Sequence, residues 1–321
     1  SQGPDNSSYL LAPVYNLSSG ELIGGVCVVV RWWPNQIIPH FLPAVQSLAT
    51  LIASTLHQAD VTAQMLAGER VAQELALAGE IQAGLLPREL PRIPGWAFAA
   101  ALEPSRETSG DFYDVIPLPS GRLGIAIADV ADKGMGAALY MTLSRTLIRS
   151  YAVEHEHRPD LVLKAVNQRL IADAQAEMFV TIFYGVLDPP TGRLDYCNAG
   201  HNPPYLFSSP RQAGQPEPEA IALKNTGMAL GVLEDAPLQR AWTQMEPGST
   251  LVLYTDGIPD ALNESGEFFE LERLIAAIHA SPDRTAEGLR QAILEAVHGF
   301  MGEAAQEDDV TLLILVRESA A

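Results

Sequence analysis

Several aspartates in this chain stand at the ends of apolar, strand-like segments. Asp256 ends the run "GSTLVLYTD", and Asp308 and Asp309 open the run "DDVTLLILV". Asp111 and Asp129 hold similar positions in "SGDFYDVIPLPSGRLGIAIAD". A single Asp at a strand end is more often a turn residue than a ligand. The repetition argues against coincidence, although helix caps and turns would explain some of these residues.

The first pair of carboxylates follows from a predicted hairpin. The turn "PLPSG" joins two strands, and simple antiparallel pairing places Asp111 roughly opposite Ala128 and Asp129. Two carboxylates at one end of a sheet repel, and one stays protonated unless a cation lies between them. A divalent cation would remove that conflict.

The second pair needs one assumption, that the strands carrying Asp256 and Asp308–Asp309 are antiparallel neighbours. Their acidic ends would then meet at one rim. Oxygen ligands without His or Cys select Mg²⁺ or Mn²⁺ rather than zinc. Two such ions about 3.5–4 Å apart can lower the pKa of a water and direct it in line at a phosphoryl group.

The composition narrows the function classes. The 321 residues include 39 Asp and Glu against 20 Lys and Arg, a formal charge of -19. This balance argues against binding nucleic acid, and so against a metal-dependent nuclease, because no basic surface would displace counterions. It suits hard cations or a basic protein surface, although an acidic enzyme needs no partner to explain it.

The two cysteines and the apolar segments of the sequence predict the cellular compartment of the chain. The two cysteines, Cys27 and Cys197, lie in apolar strand-like runs, so we expect two buried free thiols and a reducing compartment. No apolar run approaches the roughly 18 residues that span a bilayer, and the segment "SQGPDNSSYL" lacks the basic and apolar regions typical of a signal peptide. We expect a cytoplasmic chain without a membrane segment. The sequence is also compatible with a fragment of a longer protein.

Hydrophobic patterning predicts an α+β organisation with antiparallel sheets. A hairpin over residues 10–30 and a helix containing Leu42, Val45, Leu48, Ile52 and Leu56 precede a further helical stretch from Val61 to Leu86. A polar, Pro-rich surface loop is predicted over residues 208–220. Later strands are predicted near residues 95–103, 111–117, 122–129, 179–187, 193–199, 249–255 and 309–317, and later helices near 135–152, 159–175, 268–280 and 284–300.

Three domains are predicted. Residues 1–58 look like the C-terminal part of a sensor domain, residues 59–87 like a linker helix, and residues 88–321 like a catalytic domain. The linker is a weak helix, because Gly68, Gly79 and Gly84 each cost up to about 1 kcal/mol relative to Ala. It is either a plain connection or a helix that packs against its twin in a homodimer and can rearrange.

The ordered motifs resemble a known family. "SGDFYD", "ADVADKGMGAALYM", "NAGHNPP", "LYTDGI" and "DDVTLLIL" are similar to those of the SpoIIE/RsbU-type serine/threonine phosphatases. These belong to the metal-dependent PPM class, related to protein phosphatase 2C. The resemblance covers residues 65–317, including the linker signature "LAGEIQAGLLP". Residues 1–60 resemble, less specifically, the tail of a GAF sensor domain.

The resemblance implies a PPM αββα sandwich, in which two antiparallel sheets stack face to face with helices outside. It also implies a site for two Mn²⁺ or Mg²⁺ ions. Asp129 and the Val130 carbonyl would bind metal, with Asp129 bridging both ions. Asp111 would support one ion, and Asp256 and Asp308 the other.

Other positions stay open at this stage. Either Asp308 or Asp309 could be the metal ligand of this pair. Alignment on the Asp-Asn pair of eukaryotic relatives favours Asp308. Asp114 is a candidate to contact the metal ligands without itself binding a metal ion. Arg106 could steer phosphate, or form only a surface ion pair. His201 could touch phosphate, but a turn or core histidine is the stronger expectation.

Two departures from the family pattern concern the loop after Asp129. Ala131 stands where the eukaryotic branch has the His proposed as general acid, so the sequence identifies no proton donor for the leaving group. Asp132 stands where bacterial relatives commonly have Gly. It could bind a third ion, but we expect it to face solvent, as we do Lys133.

The expected function is a protein serine/threonine phosphatase, requiring Mn²⁺ or Mg²⁺. The resemblance implies a phosphorylated STAS-type anti-sigma factor antagonist as the substrate, and control by the sensor region through the linker helix. The alternative is a non-catalytic phosphatase-like signalling module that binds a partner protein.

Overall fold

The computed structural model describes residues 7–31, 38–87, 89–173, 178–208 and 220–319. The chain divides into two compact units, Ser1–Glu74 and Leu75–Ala321. The division falls inside one continuous helix, α1 (Leu42–Ala83), where two successive helical stretches were predicted. The residues between those stretches include no Gly or Pro, so nothing interrupts the helix. Most of the predicted loop at 208–220 and the end of the helix predicted to reach 175 lie outside the described residues.

The first unit contains a hairpin of β1 (Ser7–Tyr15) and β2 (Leu22–Arg31), a short 3₁₀ helix (Ile38–Phe41) and the first part of α1. One face of the hairpin packs on α1, and the other is exposed. Cys27 lies on the exposed face, so the prediction that both thiols are buried was wrong for this residue. Cys197 is buried, and both thiols are free. The buried residues of the hairpin and helix are Leu10, Ala12, Val14, Val45, Ala49 and Ala53.

The second unit contains two five-stranded antiparallel sheets. The strand order is β4-β5-β6-β7-β10 in the first sheet and β3-β12-β11-β8-β9 in the second. The first sheet comprises β4 (Phe112–Pro117), β5 (Leu123–Val130), β6 (Val180–Asp188), β7 (Arg193–Ala199) and β10 (Ala241–Gln244). The second comprises β3 (Trp96–Glu103), β8 (Tyr205–Phe207), β9 (Ala220–Ala222), β11 (Thr250–Tyr254) and β12 (Val310–Arg317).

Four helices cover the outer faces of the sheets. α2 (Met135–Glu154) and α3 (Pro159–Asp173) pack on the first sheet, and α4 (Glu270–Ala280) and α5 (Ala286–Met301) on the second. This arrangement confirms the predicted αββα sandwich. The side chains of β5 show why its sequence is almost wholly apolar, because successive residues of a strand face opposite sides. Ile125 and Ile127 lie in the core between the sheets, whereas Ala126 and Ala128 face the helices.

The seven strands and four helices predicted after residue 88 are all present within a few residues of their expected bounds. Three further strands, β8, β9 and β10, were not predicted. Each is only three or four residues long, too short to show a clear alternation. No helix in the described part of the chain is long and apolar enough to cross a membrane.

Candidate functional site

The strand pairings bring the predicted carboxylates to neighbouring strand ends. In the hairpin of β4 and β5, Phe112 lies opposite Ala128, so Asp111 and Asp129 follow as the next facing positions. In the second sheet, Tyr254 of β11 lies opposite Leu312 of β12. The assumption that these two strands are antiparallel neighbours is therefore confirmed.

The carboxylates influence one another electrostatically. Burial first, and then the charges of Asp256 and Asp308, raise the pKa of Asp129 to about 7. The pKa of Asp256 is raised by burial first and then by Asp308. Burial and the neighbouring Asp129 raise the pKa of Asp111 well above its usual value. Four side chains that are distant in sequence thus share one electrostatic environment.

Asp111, which precedes β4, is held by two threonines: Thr255, which follows β11, and Thr311 of β12. Its Oδ2 atom accepts hydrogen bonds from the Oγ1 atoms of Thr255 at 2.7 Å and Thr311 at 2.6 Å. Sequence reasoning did not identify these threonines. Their positions beside Asp256 and Asp309 in "YTDG" and "DDVT" were the available signal.

Asp309 is buried and organises the loop that leads to Asp111. Its Oδ1 atom accepts hydrogen bonds from the backbone N–H of Ser105 at 2.7 Å and its hydroxyl at 3.0 Å. Its Oδ2 atom accepts hydrogen bonds from the Ser109 hydroxyl at 2.7 Å and the Gly110 N–H at 3.0 Å. These four donors occupy the carboxylate from both sides. Asp309 is therefore engaged with the loop rather than presented to a ligand.

Asp308 has a different environment from its neighbour. Its side chain is 45% exposed, and its Oδ1 atom lies 3.0 Å from the ammonium of Lys133. Lys133 also donates a hydrogen bond to the Glu307 carbonyl at 2.5 Å. Lys133 is exposed on the loop after β5, as expected, but it is paired with Asp308 because this loop lies beside the start of β12.

Asp114 and Arg106 lie in other surroundings. The Asp114 carboxylate is bound by Arg145 at 2.9 Å and Arg149 at 2.8 Å, both on α2. The structure thus pairs Asp114 with the helical layer rather than with the other aspartates. Arg106 is exposed on the loop before β4. Val130, the last residue of β5, is buried.

His201 is a buried histidine close to the strand pair that carries Asp129. Its Nδ1 atom lies 3.0 Å from the Thr181 hydroxyl, and Thr181 is the β6 partner of Asp129. Burial lowers the pKa of His201 to about 4. The interaction with Thr181 agrees with the expectation of a core histidine.

A metal site was expected from these carboxylates. Among the described residues, no group of three His, Cys, Asp or Glu side chains is arranged to hold an ion. Protein donors contact three of the five carboxylates, those of Asp111, Asp308 and Asp309. The donor set still fits a hard divalent cation. It consists of oxygen atoms, and its members raise one another's pKa values, a conflict that a cation would relieve.

Comparison with known proteins gives consistent similarities. The chain is 32% identical over 271 residues to Protein IcfG from Synechocystis sp., covering 76% of this chain and 41% of that protein. It is 28% identical over 250 residues to Phosphoserine phosphatase RsbU from Bacillus subtilis, a match that covers 78% of this chain and 72% of that protein. The solved structure of the SiaA-PP2C domain of Pseudomonas aeruginosa superposes with a TM-score of 0.66 at 23% identity. The superposition covers 77% of this chain and 97% of that domain.

The chain thus spans less than half the length of the first of these relatives. The solved domain, at its low identity, supports the fold. The family model for stage II sporulation protein E (SpoIIE) matches residues 119–318, a region that extends from the β4–β5 turn through β12. By this match, and with the sandwich and acidic strand ends described above, the chain belongs to the SpoIIE family.

Proposed function

We propose that this chain is a metal-dependent protein phosphatase that hydrolyses phosphoserine or phosphothreonine. The observation that carries the proposal is the shared electrostatic environment of Asp111, Asp129, Asp256 and Asp308. Membership of the SpoIIE family and the similarity to a relative named as a phosphoserine phosphatase support it.

The residues proposed to hold two Mn²⁺ or Mg²⁺ ions are those implied by the motifs. The ions would be held by the carboxylates of Asp111, Asp129, Asp256 and Asp308 and by the Val130 carbonyl. The ions would supply electrostatic stabilisation of the transferring phosphoryl group and activation of water. Lys133, which lies 3.0 Å from Oδ1 of Asp308, would compete with an ion for this carboxylate.

Within this scheme the protein's own groups fix the carboxylates. Thr255 and Thr311 hold Asp111, and Asp309 holds the loop before it. We therefore assign Asp308 as the ligand of the Asp308–Asp309 pair and Asp309 as a positioning residue. Arg106 is exposed on the same loop and stays a candidate for steering phosphate.

The proposed substrate is a phosphorylated STAS-type anti-sigma factor antagonist, as the family resemblance implies. The experiment that tests the proposal measures phosphate release from candidate phosphorylated STAS proteins with Mn²⁺ and with chelator. Asp129→Asn and Asp256→Asn should each reduce the rate by about 100-fold or more, because each removes a charged ligand. Full activity in both variants would refute the assignment.

A non-catalytic partner-binding module is the second candidate, and the Lys133–Asp308 ion pair favours it because the protein itself neutralises a proposed ligand. Calorimetric titration with Mn²⁺ distinguishes the two. A phosphatase should bind Mn²⁺ and lose that binding in Asp129→Asn, whereas a non-catalytic module should bind the ion poorly.

We also propose that α1 regulates the site through its last turn. The Gln82 side chain is buried and bridges the backbone of Ser109, donating to its carbonyl at 2.5 Å and accepting from its N–H at 3.0 Å. At Gly79 an added Cβ would lie 1.9 Å from the Glu107 carbonyl oxygen. A shift of this turn would therefore act on the loop that Asp309 holds. Gly79→Ala should reduce phosphatase activity, and unchanged activity would count against the coupling.

The proposed assembly is a homodimer in which α1 packs against its counterpart. In the first unit Leu48, Ile52 and Leu56 recur at four-residue spacing on α1 and are all exposed. Ile52→Glu should shift the protein from dimer to monomer in sedimentation analysis. A monomeric wild-type chain would refute this part of the proposal.

A further inference from the structure

The segment that follows Asp256 builds a firmly held loop next to the proposed catalytic carboxylates. We call residues 257–269 the rim loop. Its start is anchored by backbone hydrogen bonds from Asp260 N–H to the Asp256 carbonyl at 2.8 Å and from Ile258 N–H to Thr255 at 3.2 Å. Ile258 itself is fully buried. The beginning of the rim loop is therefore fixed relative to β11.

The end of the rim loop is fixed as well. Phe269 is buried against Phe300, with ring centroids 5.4 Å apart. The Arg273 guanidinium donates to the carbonyls of Phe268 at 3.1 Å and Phe269 at 3.0 Å, and lies over the Phe300 ring at 4.7 Å. The backbone of Phe268 is thus held in place by its neighbours.

The side chain of Phe268 is nevertheless 51% exposed. It lines two cavities. The cavity of about 230 Å³ also has Lys133 and Asp308 on its wall, and the cavity of about 570 Å³ has Asn202 and Tyr254. Phe268 therefore belongs both to the cavity that contains Asp308 and to a second, larger cavity.

The charged side chains that line the two cavities are acidic, with one exception. The carboxylates are Asp260, Glu307 and Asp308 in the smaller cavity, and Asp260, Glu270 and Glu272 in the larger. Lys133 is the one cationic side chain among these lining residues. Such a lining favours basic groups and disfavours acidic ones, by complementarity of charge.

We propose that Phe268 is the docking residue for the polypeptide on which the phosphoserine is carried, and that the acidic cavities beside it select a substrate segment with a basic residue near the phosphoserine. This inference rests on the proposed phosphatase function. An aromatic side chain on a backbone that is already held in place costs less to order on binding than one on a mobile loop. Its ring can contact the aliphatic stem of Lys or Arg, or interact with the cation.

The test compares a synthetic phosphoserine peptide carrying flanking Arg residues with p-nitrophenyl phosphate, both with Mn²⁺. The small ester has no polypeptide to dock. Phe268→Ala should lower the ratio of kcat/KM for the peptide to that for the ester by about tenfold, mainly through KM for the peptide. Phe268→Tyr should restore the ratio, since it keeps an aromatic ring. Trp242→Ala is the control, because Trp242 is similarly exposed but lies on β10, and its ratio should stay unchanged.

A second variant tests the charge preference. Glu272→Arg should reduce kcat/KM for the Arg-flanked peptide by about fivefold and raise it for a Glu-flanked peptide. An unchanged peptide-to-ester ratio in Phe268→Ala, or the same ratio change in Trp242→Ala, would overturn the docking role. So would a change of oligomeric state in Phe268→Ala, which would identify a second copy as the occupant. If the wild-type chain hydrolyses neither substrate, the proposed function itself fails.

Discussion

The ammonium of Lys133 lies 3.0 Å from the carboxylate of Asp308, a residue proposed to bind metal. The pair joins the loop after β5 to the start of β12. An ammonium and a divalent cation compete for the same oxygen atoms. The ion pair should therefore weaken the affinity of Asp308 for a metal ion.

Removing Lys133 should therefore tighten metal binding. A partly exposed ion pair contributes at most about 1 kcal/mol, which corresponds to a two- to fivefold lower Kd for Mn²⁺ in Lys133→Gln. Isothermal titration calorimetry measures the change. Lys164→Gln removes the same charge from the exposed surface of α3 and should leave the Kd unaltered. Weaker Mn²⁺ binding in Lys133→Gln would contradict the competition.

The adjacent Asp308 and Asp309 should respond to substitution in opposite ways. Asp309→Ala leaves four donors of the loop at Ser105, Ser109 and Gly110 without their acceptor. We expect a loss of about 3 kcal/mol in the free energy of unfolding, or roughly 6–12 °C in Tm. Asp308→Ala removes only a partly exposed ion pair and should change stability by less than about 1 kcal/mol.

Thermal denaturation in chelator isolates these stability effects from metal binding. Calorimetric titration with Mn²⁺ then compares the metal affinities of the two variants. Asp308→Ala should lose metal affinity while remaining folded. If Asp308→Ala were the destabilised variant and Asp309→Ala the one that loses metal while remaining folded, the two roles would have to be exchanged.

The difference between these neighbours shows what the sequence could and could not predict. Strand alternation and acidic strand ends are local signals, and they were sufficient for the seven longer strands of the second unit and for the pairing of Asp111 with Asp129. Asp308 and Asp309 precede the first residue of β12, where the alternation of a strand does not decide which way a side chain points. The sequence therefore could not show which of Asp308 and Asp309 turns toward the loop at Ser105 and Ser109.

Contacts between segments distant in sequence were likewise not predictable. Thr255 and Thr311 bind Asp111 only because the two sheets stack. Lys133 reaches Asp308 only because the loop after β5 lies beside β12. Polar side chains such as these satisfy many local patterns equally well, so their partners depend on the tertiary fold.

Asp132 stands in a backbone conformation that normally favours glycine, with φ of 90°. Asp132→Gly should relieve about 1 kcal/mol of backbone strain, and Tm should rise by roughly 2–4 °C. Asp132→Asn is the matched control for the loss of charge, since it keeps a side chain at this position. Because we expect Asp132 to face solvent, neither variant should alter the Kd for Mn²⁺. Weaker Mn²⁺ binding in both would instead indicate a third ion.

His201 should make folding stability depend on pH. Its pKa is about 4 in the folded chain, against an ordinary value of about 6.5 in the unfolded chain. Below pH 6.5 the unfolded state therefore binds a proton that the folded state does not, and stability falls as the pH is lowered toward 4. Between pH 7.5 and pH 5 the contribution of this residue is about 2 kcal/mol.

Urea denaturation of wild type and His201→Gln at these two pH values measures that contribution as a difference, because the other titrating groups are common to both proteins. The wild type should lose about 2 kcal/mol more than the variant on going from pH 7.5 to pH 5. Gln can still form a hydrogen bond with Thr181, the β6 partner of Asp129, so the comparison removes the proton site and retains a polar partner. An equal loss in the two proteins would show that the His201 ring takes up a proton as readily in the folded chain as in the unfolded one.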